Sequence, residues 1–336
     1  MTQTTLRRVA IVGGNRIPFA RSNTAYVRAT NLDMLTVTLQ GLVDRFGLHD
    51  QRLGDVAAGA VMKHSRDFNL VREAVLSTSL SPETPAFDLQ QACGTGLEAA
   101  MLVAHKIAVG QIDCGIAGGV DTTSDAPIAL NEKLRRALLD FSRARTGGQL
   151  QKFMRLSPAG IRPVVVRLVL VLERLQAALR IRPGQFFKPV LPRNGEPRTG
   201  LSMGEHAEQM ARQWDIAREA QDTLALESHK KLAQAFDSGF FTDLMTPFQG
   251  LREDNNLRRG LTLEQLAKLR PAFDRPVAAG EGTLTAGNST PLTDGASAVL
   301  LASEGWAADR GLPVLAYLTP DIDRNRVYPS GFTIDV

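Results

Sequence analysis

The sequence predicts an α/β protein with its strands covered on both faces, and three observations lead to that class. Apolar runs and helical stripes alternate through the first 140 residues, the pattern of a layered domain. Val9–Val12 is a compact apolar run and Asp113–Val120 is apolar and glycine-bounded, as strands buried on both faces read. The 336 residues, 43% of them hydrophobic, can bury the core of one large or two ordinary domains.

Taken in order, Val9–Val12 predicts a first strand ending in a tight turn at Gly13 and Gly14. Leu35, Leu39, Leu42 and Val43 predict a helix over Leu32–Phe46, closed by Gly47 as its cap. Val56–Val61 predicts a strand, Asn69–Leu80 a helix, Pro85–Gln91 an extended segment and Leu134–Phe141 a short helix. Arg198–Trp214 predicts a loop entering a helix, with Glu205, Glu208 and Gln209 on its polar side and Met203, Ala207, Met210 and Ala211 facing inward. Glu219–Ala235 predicts a stronger amphipathic helix, Leu263–Leu269 a short one, and Ala296–Ala302 a buried strand.

The chain is organised around DLQQACGTGLEAA, Asp88–Ala100, where a strand runs into a cysteine, two glycines and a helix with Leu97, Ala100, Met101, Ala104, Ile107 and Ala108 at helical spacing. A cysteine at a helix N-terminus sits among unpaired N–H groups that favour a thiolate, and glycines beside it let a substrate approach. Cys93 is therefore a candidate nucleophile in an elbow like that of serine hydrolases. Two other readings fit the same residues. A small-residue turn can serve close packing alone, and Gly94, Gly96 and Ala99 with Asp121 satisfy a relaxed dinucleotide-binding pattern.

Composition narrows the classes. The N-terminal stretch MTQTTLRRVAIVGG shows neither the apolar run nor the cleavage site expected of a signal peptide, and the longest apolar run, Val164–Leu172, is too short to span a bilayer. Cys93 and Cys114 are the only cysteines; with no metal-ligand spacing they predict no metal site and a reduced, cytoplasmic setting. The net charge of +4 conceals 15 Lys or Arg against three acids between Lys133 and Arg198. That concentration suits an anionic partner, nucleic acid or a phosphorylated small molecule, or else a solvated basic face.

Five stretches together resemble the thiolase family of acyl-CoA acyltransferases: GNRIPFARS at Gly14–Ser22, QQACGTG at Gln90–Gly96, AGGVDTTSD at Ala117–Asp125, GLSMGEHAE at Gly200–Glu208 and GTLTAGNSTPLTDGA at Gly282–Ala296. The resemblance implies the N-terminal half and loop domain of a thiolase-like layered fold, αβαβα in the complete family. It implies an N-terminal domain over residues 1–125 and 256–305, a loop domain over 126–255 and the start of a truncated C-terminal domain over 306–336. By the same similarity Cys93 carries the acyl group and its amide contributes to an oxyanion hole. Met203 lines the acyl pocket, while Asn288 and Thr290 flank the pantetheine arm. Asn288 and Thr290 also suit a plain turn beside glycine.

The implied activity is thiolysis of a 3-ketoacyl-CoA, or condensation of acetyl-CoA, in fatty acid or ketoacid metabolism. Coenzyme A is then a substrate rather than a resident cofactor, the partners are acyl-CoA and CoA rather than nucleic acid, and the chain forms a homodimer or higher oligomer through the strand near Ala117–Val120. The family's histidine base and second cysteine have no counterpart motif, and His49, His64, His105, His206 and His229 all fall elsewhere. Most of a C-terminal domain is therefore expected to be absent, which leaves a large apolar face uncovered and the chain slow to be acylated, or no more than a CoA-binding protein. The arginine-rich Met154–Gln185 is expected to be an insertion or a shifted reading frame, and Arg193 and Arg198 are candidates to pair with CoA phosphates.

Overall fold

The computed structural model describes residues 6–132, 134–136, 139, 190–192, 195–273 and 281–318. The chain divides into two compact units, Met1–Asp125 with Pro197–Val336, and Ala126–Glu196. In the second unit Ala129 and Val190 exchange backbone hydrogen bonds of 3.0 and 2.8 Å, and Arg135 and Arg136 hold the Glu132 carboxyl down to about 2. Most of the predicted helix Leu134–Phe141, and all of the basic run Met154–Gln185, lie outside the described residues.

The first unit is built on a mixed seven-stranded sheet. Its strands are β1 (Val9–Arg16), β2 (Ala20–Arg21), β3 (Asp55–Ala58), β4 (Ala86–Asp88), β5 (Cys114–Asp121), β6 (Thr293–Ser303) and β7 (Ala316–Leu318). The order is β4-β3-β5-β6-β1-β7, with β2 paired to β6. β3 runs parallel to β4 and β5, while β6 is antiparallel to both β5 and β1. β5 is thus interior, paired with β3 over Gly115–Ala117 and with β6 over Cys114–Asp121.

Side-chain alternation along these strands feeds two cores. Val56, Ala58, Ile116, Leu300 and Ala302 point into one, with helices α1 (Asn31–Phe46) and α2 (Leu70–Leu76). Ala57, Ala117 and Leu301 point into the other, against Ala99, Val103 and Ile107 of α3 (Thr95–Ala108). Coverage on both faces, expected from the apolar runs, is what the sheet shows.

Local chemistry sets the element ends. α1 begins at a capping box, with Thr30 and Asp33 each bonding the other's backbone N–H, and ends at Gly47 in the left-handed region at φ 61°. α2 stops at Leu76, short of the predicted Leu80, because Ser77 and Thr78 turn their hydroxyls onto the Glu73 and Val75 carbonyls of its last turn. The predicted turn at Gly13–Gly14 is instead strand. β1 continues to Arg16 with a bulge between Ile11 and Gly13, and the glycine is there because a Cβ on Gly13 would overlap the Phe46 ring. β3 ends at Ala58 rather than Val61 because the N–H groups of Val61 and Met62 go to the Asp121 carboxylate instead of a ladder.

Three further helices are α4 (Met203–Gln213), α5 (Arg218–Asp237) and α6 (Leu263–Ala267). α4 reverses part of its predicted orientation. Glu205 and Glu208 are buried, whereas Met203 is 62% and Met210 49% exposed. The cause is local: Glu208 satisfies the N–H groups of Thr283 and Leu284, so the helix turns its carboxylates toward backbone donors. α5 buries only Asp222 and Leu226 and is less amphipathic than its spacing predicts. α7 (Glu304–Asp309) follows β6, its N-terminus capped by Ser303.

Candidate active site

Cys93 sits between β4 and α3 in a turn held by backbone and one hydroxyl. Gly94 N–H donates to Gln91 O at 3.0 Å and Thr95 N–H to Ala92 O at 3.2 Å. The buried Thr95 hydroxyl accepts from Gln91 N–H at 2.9 Å and donates to Ala92 O at 2.8 Å. Ala92 is forced to φ 45°, a left-handed conformation that costs an L-residue on the order of 1 kcal/mol. The strain and the clamp together present Cys93 to solvent. Its own N–H has no partner among the described residues, and α3 has no side-chain cap at Gly94.

The sulfur faces a cleft of about 310 Å³ lined by Phe19, Gly59, Gly96, Gly119, Asp121 and Ala298, among others. Glycine is obligatory in part of this lining. A Cβ on Gly59 would overlap the Leu89 carbonyl, and one on Gly118 the Ser297 carbonyl. Gly96 differs, because a Cβ there would come no closer than 3.9 Å to Gly118 O. It leaves space beside the sulfur rather than serving tight packing. The two cysteines accordingly part ways. Cys114 is 4% exposed, and burial pushes its thiol up from the usual range.

Asp121, the acid of the dinucleotide pattern, is committed to the loop beside the cleft. Its carboxylate accepts Val61 N–H at 3.0 Å and Met62 N–H at 3.0 Å. Burial raises its pKa above the usual aspartate range. Among the described residues, no histidine lines the Cys93 cleft. His64 bonds the Asp125 carbonyl, His206 meets Thr199, His229 accepts from Arg258 N–H and His49 meets Ser79, while His105 is exposed on α3.

A second cavity, about 630 Å³, lies between α4, α5 and the 284–293 loop. Met210, Trp214, Ile216, Leu224 and Leu232 supply its apolar wall, and Asn288 and Thr290 stand on the opposite loop. Asn288 is fixed there: its Oδ1 accepts Thr285 N–H at 2.7 Å, and its Nδ2 donates to Asp222 at 2.9 Å and Thr283 O at 3.2 Å. Asp222 is in turn paired with Arg218 at 2.8 Å. Two buried polar atoms of the lining residues, Gln221 Oε1 and Ser289 Oγ, have no hydrogen-bond partner among the described residues.

The sequence-predicted residues therefore fall into three places. Cys93 is in the smaller cleft, Asn288 and Thr290 are in the larger cavity, and Met203 is exposed and lines neither. Arg193 lies outside the described residues. Residues to which the sequence assigns no role tie the parts together. Arg16 makes a bidentate pair with Asp254 at 2.7 and 2.9 Å, and Asp254 also accepts Phe19 N–H at 2.6 Å. Arg16 and Phe19 belong to the GNRIPFARS stretch, a signal that marks the segment but not its role.

Comparison with known proteins agrees with this geometry. The family model "Thiolase, N-terminal domain" matches residues 9–161 and 189–305. A 3-ketoacyl-CoA thiolase of Pectobacterium carotovorum subsp. carotovorum (strain PC1) is 41% identical over 317 residues, 93% of this chain and 66% of that protein. Its counterpart in Yersinia pestis (strain Pestoides F) is 40% identical over the same shares. The chain thus spans just under two thirds of the length of these relatives. Among solved structures, the Bacillus anthracis acetyl-CoA acetyltransferase superposes with a TM-score of 0.70 at 27% identity, over 94% of this chain and 70% of that one. Human mitochondrial 3-ketoacyl-CoA thiolase in complex with CoA gives 0.70 at 26%, over 93% and 69%. With most of its length matched by the family model and its cysteine turn, glycine-lined cleft and flanking loop built as described, the chain belongs to the thiolase family.

Proposed function

We propose that this chain performs acyl transfer of the thiolase type, with Cys93 as the group that takes the acyl chain. The observation that carries the proposal is a solvent-exposed sulfur at an uncapped helix N-terminus, facing a glycine-lined cleft. The sulfur of Cys93, as thiolate, attacks the C3 carbonyl carbon of a 3-ketoacyl-CoA, and the carbonyl electrons move to oxygen. Donors at the helix start, the unclaimed Cys93 N–H among them, are placed to stabilise that oxyanion. When the carbonyl re-forms, the C2–C3 bond breaks and its electron pair leaves on C2 of acetyl-CoA, which takes up a proton. The acyl group is then a thioester on Cys93. The thiolate of free CoA attacks it and releases acyl-CoA and the Cys93 thiolate, so one difficult carbon–carbon cleavage becomes two substitutions at a carbonyl.

Human mitochondrial 3-ketoacyl-CoA thiolase is seen in complex with CoA, which supports CoA and acyl-CoA as the partners of this chain. Asn288 and Thr290 then border the pantetheine arm, on the loop that Glu208 and Asp222 hold in place. Met203, exposed at the start of α4, meets the acyl chain only if the ligand reaches that surface. Association of two or more copies is part of the same proposal.

A second reading, reversible CoA binding without turnover, is favoured by one feature, the lack of a histidine among the described residues of the Cys93 cleft. One experiment separates the two. The chain and its Cys93→Ala variant are incubated with acetyl-CoA, and the intact mass and CoA binding are measured. An acetyl adduct that disappears in the variant supports acyl transfer, and binding without an adduct supports the second reading. Neither adduct nor binding overturns both.

A further inference from the structure

Outside the linings of both hollows, three side chains form a continuous polar row. Ser79 Oγ lies 2.8 Å from His49 Nδ1, and His49 Nε2 lies 3.4 Å from Asp44 Oδ1. We infer that Ser79 is a second nucleophile, with His49 as its base, and that it takes the acyl group of small carboxylic esters with a good leaving group. Nothing in this assignment depends on Cys93 or on CoA.

The proton positions follow from the partners. A carboxylate only accepts, so the hydrogen of a neutral His49 ring sits on Nε2, facing Asp44, and Nδ1 is left to accept the Ser79 hydroxyl. The order of carboxylate, imidazole and hydroxyl is that of the serine hydrolases with the two ring nitrogens exchanged, and either nitrogen serves as the base. Several bonds hold the row in register. Gln40 of α1 donates from Nε2 to Asp44 at 2.6 Å, one turn along the helix, and to Ser79 Oγ at 2.8 Å, while its Oε1 accepts Ser79 N–H at 2.8 Å. The loop after α1 is tied to the turn after α2, because Asp50, at φ 58°, donates its N–H to Ser79 O at 2.8 Å. Leu48 and Leu80, the buried neighbours of His49 and Ser79 in sequence, anchor both segments in the core. Ser79 is partly exposed, and the His49 and Asp44 side chains are 51% and 58% exposed, so an ester reaches the hydroxyl from solvent. A site this open grips its substrate weakly, which is why the leaving group has to be a good one.

In the reaction, Ser79 Oγ bonds to the carbonyl carbon as its proton moves to His49 Nδ1 and the carbonyl electrons move to oxygen. When the carbonyl re-forms, the carbon–oxygen bond to the leaving group breaks and the departing oxygen carries away the electron pair, with the His49 proton passed to it or to water. Water repeats the sequence on the acyl-serine, which releases the carboxylic acid and restores the hydroxyl. Asp44 is a positioning residue: it fixes the ring and offsets the charge of the imidazolium.

The test uses the full chain with Cys93→Ala, so that no acyl-cysteine contributes. It is treated with diisopropyl fluorophosphate, whose fluoride a reactive serine displaces, and separately with p-nitrophenyl acetate. Mass spectrometry locates the label, with exposed Ser77 as the internal control, since its hydroxyl donates to Glu73 O at 2.8 Å and not to a histidine. Ser79 should be labelled about a hundredfold faster than Ser77, the low end of what a positioned general base supplies. His49→Gln should remove that advantage and Asp44→Asn should reduce it by a smaller factor, both with thermal melts near that of the parent. Release of p-nitrophenolate should fall in the same order, and should fall to the His49→Gln level in Ser79→Ala, which keeps the test open if a His49 variant fails to fold. Labelling of Ser79 and Ser77 at equal rates, no label on Ser79, or a Ser79 rate that His49→Gln leaves unchanged overturns the assignment. An acetyl adduct on Cys93 of the parent chain bears on the acyl-transfer proposal alone, so either proposal falls without the other.

Discussion

Asp294, fully buried at the start of β6, accepts the Thr122 hydroxyl at 2.9 Å across 172 positions of sequence. The same carboxylate accepts the N–H groups of Thr123 at 2.9 Å and Ser124 at 3.2 Å, and the Ser124 hydroxyl. One side chain thus fastens the turn after β5 to the strand beside it, joining two of the motifs that carry the family resemblance. A buried carboxylate with this many donors is worth most when none of them is left behind. Asp294→Ala should cost about 3 kcal/mol in urea unfolding, because it strands buried donors. Asp294→Asn keeps one acceptor and should cost roughly half as much. Equal stability of parent and Asp294→Ala would show that the turn re-forms with water in place of the carboxylate.

Glu208 plays the corresponding part for the other wall. It is fully buried and accepts Leu284 N–H at 2.7 Å and Thr283 N–H at 2.8 Å. Those two residues open the loop that ends in Asn288 and Thr290. Glu208→Ala should therefore weaken CoA binding about tenfold or more while leaving the rate of Cys93 alkylation near the parent value, since the Cys93 turn makes no contact with Glu208. Glu208→Gln retains one acceptor oxygen and should recover part of the affinity. Calorimetric titration with CoA and iodoacetamide labelling give the two readouts, and a parallel loss in both would point to general unfolding.

Two glycines allow opposite forecasts from the same substitution. Gly59 lies where a Cβ would overlap the backbone carbonyl of Leu89, so Gly59→Ala must move β3 or β4 and should cost about 1–3 kcal/mol. Gly305 is in α7 with no atom within 4 Å of an added Cβ. Gly305→Ala should stabilise by about 0.5–1 kcal/mol through the lower entropy of the unfolded chain. Thermal melts of the two single variants test both signs. Destabilisation by Gly305→Ala would mean that α7 is not helical at that position.

Most of the sheet, and the Cys93 turn, are legible in the sequence because their signals are local. Period-two burial in Val56–Ala58 and Leu300–Ala302 follows from strand geometry, and Cys93 between a strand, a glycine pair and a helix stripe needs only neighbours in sequence. What is not legible depends on distant backbone. Glu208 and Asp222 look like solvent-facing helix carboxylates until Thr283, Leu284 and Asn288 arrive from 66 to 76 positions away. The Gly13–Gly14 pair looks like a turn until Phe46 of α1 is found against Gly13. Met203 looks apolar and inward by spacing, but the buried face of α4 is the one that carries Glu205, Glu208 and Ala211, and Met203 is left exposed off that face. A residue's partner decides such cases, and hydrophobic periodicity does not record partners.

Asp121 provides a test by pH. Burial raises its pKa while its bonds to Val61 and Met62 oppose that rise. The folded chain therefore holds this proton to a higher pH than the unfolded chain does. Between the ordinary aspartate value and the raised one, the native state binds more protons, so the group's contribution to stability falls as pH rises through that window and is flat above it. Asp121→Asn cannot titrate and lacks this slope, although its amide oxygen still accepts from the 61–62 loop. Urea unfolding measured from pH 4 upward should show the parent losing stability relative to Asp121→Asn until the carboxylate is fully ionised, after which the difference stays constant. Parallel pH profiles would mean that Asp121 ionises in the fold as it does in water, and a difference of the opposite sign would mean that the two N–H donors outweigh its burial.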